Sequence, residues 1–237
     1  MQRLSNNSIL LLYKVYIYKS PIFFIEILMK GAIRIESWRA AFSTTLPGEG
    51  AQQIMAPDYR GSFSHLTEPL KAGVMILLYP YLDEVNLVLI KRNEYDGHHS
   101  GQVSFPGGAF EPADHTLIQT ALRETREELG IDEEIEILGS LTRLHIPVSN
   151  FLVHPVVGWA DSRPRFQPDP SEVRYLIEAT VGALLDPANT DKETIFRHGK
   201  EIVTPFYKIG KEKVWGATAM ILCEFLQLAS TLQPHHY

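Results

Sequence analysis

The 237-residue sequence predicts a layered α/β domain. Three observations carry that reading. Ala72 to Tyr79 and Val85 to Arg92 are apolar runs rich in β-formers, separated by the turn-like Pro80 to Glu84, which is the pattern of a hairpin. Thr116 to Leu129 then sets Leu117, Ile118, Ala121, Leu122 and Leu129 at helical spacing. Beyond that, strand-like and helix-like segments keep alternating, and no internal repeat or low-complexity stretch interrupts them.

Taken in order, residues 1–30 read as a doubtful N-terminal extension. Ile9 to Met29 is rich in Ile, Leu, Phe and Tyr, but Lys14, Lys19, Pro21 and Glu26 break it, so no run approaches the ~20 apolar residues of a membrane span. The layout of a signal peptide is missing too. Translation from Met29 is the expectation; the alternative is a membrane or partner anchor. Residues 31–70 form a lead-in: a short amphipathic helix from Gly31 to Phe42, then a loop-rich stretch from Ser43 to Leu70 carrying Pro47, Gly48, Gly50, Pro57, Gly61 and Pro69.

The domain proper spans 71–232. After the hairpin comes a glycine-rich loop and then the 116–129 helix, where Thr116 and Gln119 have capping-box spacing and Gly130 provides the stop. Ile135 to Leu144, Phe151 to Ala160 and Val173 to Ile177 read as strands, and Val181 to Leu185 as a short helix ending before Pro187. Thr194 to Phe206 and Lys213 to Trp215 are strand-like pieces, and Ala217 to Leu232 is a closing helix.

Composition narrows the function. The chain has 22 Lys and Arg against 28 Asp and Glu, and the basic residues are scattered, so the stripe that a nucleic-acid binder needs for phosphates is absent. The lone Cys223 has no internal disulfide partner and sits in the apolar run Ala219 to Cys223, which reads as a buried small hydrophobe in a reducing, cytoplasmic setting.

The chemistry concentrates in Phe105 to Ile131, a glycine-bearing loop feeding a helix on which Glu124, Glu127 and Glu128 stand at i, i+3 and i+4. Residues so spaced share one face, with Cβ atoms roughly 5–6 Å apart, and three like charges there repel. Either the face is simply solvated, or a hard divalent cation such as Mg²⁺ or Mn²⁺ reverses the repulsion, because such ions take carboxylate oxygens together with substrate phosphates.

Arg123-Glu124-x-x-Glu127-Glu128-x-Gly130-Ile131 resembles the core of the Nudix signature, with Thr125 standing at a position the family fills with an apolar residue. The upstream half departs from the general pattern, since Ala109 and His115 stand where the family has glycine and glutamate. It is similar instead to the coenzyme A diphosphatase branch, in which Pro-Gly-Gly is followed after five residues by aspartate, as in Pro106-Gly107-Gly108 and Asp114. Asp114 or Glu111 is then expected to replace the missing glutamate as the partner of Arg123, and His115 to lie on the surface. Leu89 to Arg92 and His99 to Gly108 resemble the extended CoA motif of that branch, with Gly97 where a second basic residue is usual and Lys91, His98 or His99 as its possible replacements. Pro147 to Val157 and Trp215 to Ala219 are similar to further segments of the branch.

The resemblance implies an α/β/α sandwich with a mixed sheet between helices, and metal-dependent hydrolysis of a CoA-like nucleotide at its diphosphate; the alternatives are hydrolysis of another nucleoside diphosphate derivative and a non-catalytic nucleotide-binding regulator of the same family. It also implies Glu124 and Glu128 as the main metal ligands, with Glu127 as a third. Glu124 and Glu127 are candidates for the general base, and a later glutamate such as Glu172 or Glu178 is a candidate to assist. Gly107 and Gly108 either bring backbone groups close to metal and phosphate or simply make a turn. Arg92 either binds a substrate phosphate as a permanently charged planar donor or is an exposed strand-end residue. Phe105 is expected to pack under the loop rather than stack on adenine.

Overall fold

The apolar runs that open the domain form strands β1 (Leu70–Tyr81) and β2 (Glu84–Arg92) in a computed structural model that describes residues 35–58, 67–94, 100–197 and 200–232. Residues 1–34, and with them the expected start at Met29, lie outside these residues, as do Gly97, His98 and His99.

The two strands join through Leu82 and Asp83, both at positive φ, as a two-residue turn of right-handed strands requires. Their pairing runs only from Tyr81↔Glu84 to Leu78↔Leu87. Farther from the turn, β3 (Val103–Ser104) pairs with Ile90 and Lys91 of β2, while β4 (Gly107–Ala109) pairs with Ala72, Gly73 and Val74 of β1. The glycine loop is thus hydrogen-bonded to both strands of the opened hairpin.

β7 (Phe151–Trp159) runs parallel to β1 over nine residue pairs, and β5 (Glu136–Ser140), β6 (Leu144–Ile146) and β8 (Val173–Thr180) add antiparallel pairs, so the sheet is mixed. Ile135 to Leu144, expected as one strand, is divided between β5 and the start of β6. Met75, Leu77, Tyr79, Val88, Ile90 and Val156 face one side and are covered by the 117–129 helix. Ile76, Leu78, Leu87, Leu89, Val153 and Val157 face the other, where Ala219, Met220, Leu222 and Phe225 of the closing helix cover them. Alternate residues of one strand reach opposite faces, and the resulting two-sided burial makes the expected α/β/α sandwich.

The lead-in belongs to the second layer. A helix over residues 35–42 (α1) stacks Trp38 on Phe225 with ring centroids 5.4 Å apart. Within the stretch expected as loop, Gly48–Ile54 is helical (α2). Its two glycines carry poor helix propensity, and the compensation comes from afar. The buried Glu224 accepts hydrogen bonds from Gly48 N–H, Gln52 Nε2, Thr142 N–H and Thr142 Oγ1.

The closing elements are α4 (Val181–Leu185), a three-stranded sheet of β9 (Thr190–Arg197), β10 (Lys200–Ile209) and β11 (Glu212–Trp215), and α5 (Gly216–Ser230). Thr194 to Phe206, read from sequence as one strand-like piece, is divided between β9 and β10, which pair antiparallel with Arg197 opposite Lys200. Among the described residues no helix is long and apolar enough to cross a membrane.

Candidate active site

Helix α3 (Leu117–Leu129) carries the acidic cluster, and its ends are those the sequence announces. Thr116 Oγ1 accepts from Gln119 N–H while the Gln119 side chain accepts from Thr116 N–H, and Gly130 closes the helix at φ 59°. Thr125, at the position where the family has an apolar residue, is fully buried and donates its hydroxyl to the Ala121 carbonyl at 2.6 Å. The back-bond satisfies the hydroxyl inside the core.

Glu124 and Glu128 meet the glycine loop. An added Cβ on Gly108 would fall 2.4 Å from the Glu124 carboxylate, so the loop backbone lies directly against that group. Glu128 is 1% exposed, and its two oxygens accept from Gly107 N–H at 2.7 Å and from Arg92 at 3.0 Å. Burial pushes the Glu128 carboxyl up to about 7 against the opposing effects of Arg92 and the Gly107 amide, and the charges of Glu124 and Glu172 raise it further. Burial likewise raises Glu124, with Arg123 opposing and Glu127 and Glu172 adding to the rise. Glu124 and Glu128 are therefore two poorly exposed carboxyls with further acidic charge nearby, a setting that favours a cation.

Arg123 organises the helix side of the loop. Its guanidinium binds both oxygens of Asp114, at 2.8 and 3.0 Å, donates to the Ala109 carbonyl at 3.2 Å, and reaches Glu124 at 2.9 Å and Glu127 at 3.0 Å. Asp114, also bonded by Glu111 N–H and Thr120 Oγ1, is the aspartate that takes over as partner of Arg123. The guanidinium holds its carboxyl well below the usual carboxylate range. Glu111 contributes its backbone to this arrangement.

The remaining candidates separate clearly. Glu127 points outward, its side chain 59% exposed, and is held by Arg123 rather than set against the loop with Glu124 and Glu128. Among the described residues no three Asp, Glu, His or Cys side chains are gathered closely enough to hold a metal ion. Of the two later glutamates, Glu172 acts electrostatically on Glu124 and Glu128, whereas Glu178 is bound by both arms of Arg163 and by Tyr79 Oη. Lys91 lies in an ion pair with Glu212 at 2.8 Å, so its charge is already matched by β11. Arg92 is not a free strand-end residue, because it is tied to Glu128. His115 is exposed, Phe105 is buried beneath the loop and Cys223 is buried in α5, each as expected.

Sequence reasoning missed the segment between β7 and β8. Gln167 N–H donates to the Leu129 carbonyl at 2.8 Å and Asp169 N–H to the Glu128 carbonyl at 3.2 Å, so residues 161–172 cap the C-terminal turn of α3. Asn93, next to Arg92, fixes the far end through Glu172 O and Pro170 O. These are mostly backbone contacts between distant segments, and no local pattern announces them.

Comparison with known proteins bears on this geometry. Residues 69–198 match the NUDIX domain model. Human mitochondrial coenzyme A diphosphatase NUDT8 is 35% identical over 167 residues, which are 68% of this chain and 67% of that one. The Nudix hydrolase NudL of Photorhabdus laumondii is 32% identical over 142 residues, 60% of this chain and 75% of that protein. The NudL of Yersinia pestis (strain Pestoides F) is 31% identical over 183 residues, 75% and 90% of the two chains. The crystal structure of RenU, a Nudix hydrolase from M. smegmatis, has the same fold at TM-score 0.50 and 14% identity, covering 73% of this chain and 94% of that chain. The family model covers more than half of the sequence, its signature helix lies against the glycine loop, and the chain therefore belongs to the Nudix hydrolase family.

Proposed function

We propose that this Nudix hydrolase cleaves the diphosphate bond of coenzyme A or a CoA derivative, giving 4′-phosphopantetheine and adenosine 3′,5′-bisphosphate. The observation that carries the reading is the meeting at Glu128 of Arg92 and Gly107, which joins both ends of the CoA-like segment to the acidic helix. The 35% identity to a CoA diphosphatase supports it. A lone buried cysteine is consistent with a cytoplasmic setting.

Mg²⁺ or Mn²⁺ fits the donor set. Glu124 and Glu128 offer hard carboxylate oxygens at poorly exposed positions beside the loop backbone, and Glu127 stands one turn from Glu124 on the solvent side. Glu124 and Glu128 would hold the ion, while Glu127, turned to solvent and held by Arg123, stands apart from them. When bound, such an ion polarises a phosphate oxygen and offsets the charge that builds during phosphoryl transfer.

The chain's own residues supply the rest. Arg92 has five N–H donors and spends one on Glu128, leaving others for the diphosphate or the 3′-phosphate of the substrate. The missing side chain of Gly108 lets the loop backbone lie directly against the Glu124 carboxylate, and that of Gly107 lets the loop pack on Gly73 and Val74 of β1, so backbone groups of the loop stand beside the proposed site. Glu124 and Glu127 are the candidate bases for the proton of the attacking water, and both bond Arg123, which Asp114 binds in turn.

The test is product analysis of the purified protein with CoA and Mg²⁺ or Mn²⁺, run beside ADP-ribose and a nucleoside triphosphate with a chelator control. Metal-dependent release of 4′-phosphopantetheine is expected. Glu128→Gln should lower that rate by more than the roughly 10–100-fold that loss of a supporting residue costs a metal site. Turnover of another compound with none of CoA would discard the CoA assignment, and wild-type rates from folded Glu128→Gln would discard the role of Glu128.

A further inference from the structure

Residues 161–172 touch both the acidic helix and Asn93, next to Arg92, and what fastens this strap lies away from the site. Its first residues are held by Arg163. The guanidinium binds both oxygens of Glu178 on β8, at 2.7 and 2.6 Å, and lies over the rings of Tyr81, 5.4 Å from the centroid, and Phe166, 5.1 Å away. Glu178 also accepts from the buried Tyr79 Oη at 2.7 Å, and Phe166 meets the Tyr79 ring edge-on. One side chain thereby fixes the strap to β1 and β8 together.

From this clamp the strap crosses the end of α3. The Gln167 carbonyl sits where a Cβ of Gly130 would be, 1.9 Å from the ideal position, so the crossing is close and admits only glycine beneath it. The next contacts are those to the Leu129 and Glu128 carbonyls. Glu172 follows, next to β8, its backbone bonded to Asn93 and its charge felt by Glu124 and Glu128. Movement of the strap would displace the last turn of α3 and the Glu172 carboxylate together.

We infer that Arg163 is a positioning residue for the hydrolase reaction: its clamp on Glu178, Tyr81 and Phe166 seats the 161–172 strap, which sets the Glu128 turn of α3 and Glu172 relative to the loop at Gly107. The inference rests on the functional reading above for the identity of the site, but not on CoA as the substrate. Because geometry at a reacting centre is sharply limiting, with a 1 Å misplacement able to cost about 100-fold, a partial loosening should cost about tenfold.

The experiment compares wild type with Arg163→Met, which keeps an aliphatic stem over the two rings, and Arg163→Lys, which restores a charge beside Glu178. Three quantities are read at a temperature where each protein is folded: kcat and KM on the best diphosphate substrate, and direct Mn²⁺ affinity from the free-Mn²⁺ EPR signal. Expected for Arg163→Met are a kcat lower by about tenfold, a KM within about twofold of wild type and a several-fold weaker Mn²⁺ affinity, with Arg163→Lys between the two. A lowered melting temperature with kcat and Mn²⁺ affinity unchanged would make Arg163 a purely structural residue and overturn the inference. Should Arg163→Met not fold, Tyr79→Phe removes only the hydroxyl that bonds Glu178. A smaller fall in the same two quantities then supports the clamp, and no change in either overturns it. The wild-type arm is separate, because Mn²⁺ binding without CoA turnover removes the CoA assignment and leaves the comparison of variants intact.

Discussion

Replacing Gly108 by alanine isolates the contact between the glycine loop and the acidic helix. The added Cβ would lie 2.4 Å from Glu124 Cδ and Oε1 and 2.6 Å from Oε2, about 1 Å inside the 3.4 Å at which ordinary contact begins. The obstructing atoms are the end of a flexible side chain, so the glutamate can rotate away and the fold survives. The displaced group is a proposed metal ligand and candidate base, and a shift of about 1 Å at such a centre corresponds to roughly a 100-fold loss of rate. Gly73→Ala is the matching control. Its Cβ would strike the Leu117 carbonyl at 2.3 Å and the Ala121 amide at 2.9 Å, backbone atoms of α3 that cannot step aside. Gly108→Ala should therefore keep a near-native melting temperature and lose about two orders of magnitude in kcat/KM, while Gly73→Ala should lose stability first. Both are read by thermal denaturation and steady-state kinetics on the same preparations. A folded Gly108→Ala protein with kcat/KM within twofold of wild type would show that the position of Glu124 against the loop does not matter to the reaction.

Other consequences concern stability. The Asp114 carboxyl is depressed by Arg123, so its contribution is present above the ordinary carboxylate range, near 3.8, and is lost as pH falls through the lower folded-state value. Urea midpoints of wild type and Asp114→Asn should therefore differ at neutral pH and draw together progressively as pH falls below about 4; a gap that stays constant on acidification would refute the ionic origin. Trp38→Ala removes the stack on Phe225 and should destabilise the whole domain by about 3–5 kcal/mol in equilibrium unfolding, whereas a value near zero would mean that α1 is not part of the cooperative unit. Glu224→Ala leaves the donors of Gly48, Gln52 and Thr142 without their common acceptor and should cost about 3 kcal/mol or more, with exchange protection of α2 lost first.

The parts of this protein legible in the sequence are those specified by neighbouring residues. Thr116, Gln119 and Gly130 fix the ends of α3 through bonds that span only a few positions, and the i, i+3, i+4 spacing alone puts the three glutamates on one helical stretch. Two-sided apolar runs gave β1, β2 and β7 for the same reason, since a strand buried on both faces has little polar content to obscure it. The replacement of the family's glutamate by Asp114 was also readable as a choice between two nearby carboxyls, although only the geometry selected Asp114 over Glu111.

What only the tertiary structure decided depends on contacts between distant segments. Shared helical spacing did not make Glu124, Glu127 and Glu128 equivalent. The glycine loop lies against Glu124 and Glu128 and leaves Glu127 to Arg123 and solvent. The same holds for Arg92, which is 36 residues from Glu128 in sequence and 3.0 Å from it in space, and for Glu172 and Glu178, six residues apart, the first held through its backbone by Asn93 and the second through its carboxylate by Arg163. Helix α2 formed against its own glycines because Glu224, 176 residues beyond Gly48, accepts its first amide. Local propensity and periodicity act over a few bonds, whereas burial, ion pairing and close backbone approach are settled only when the sheet brings remote residues together.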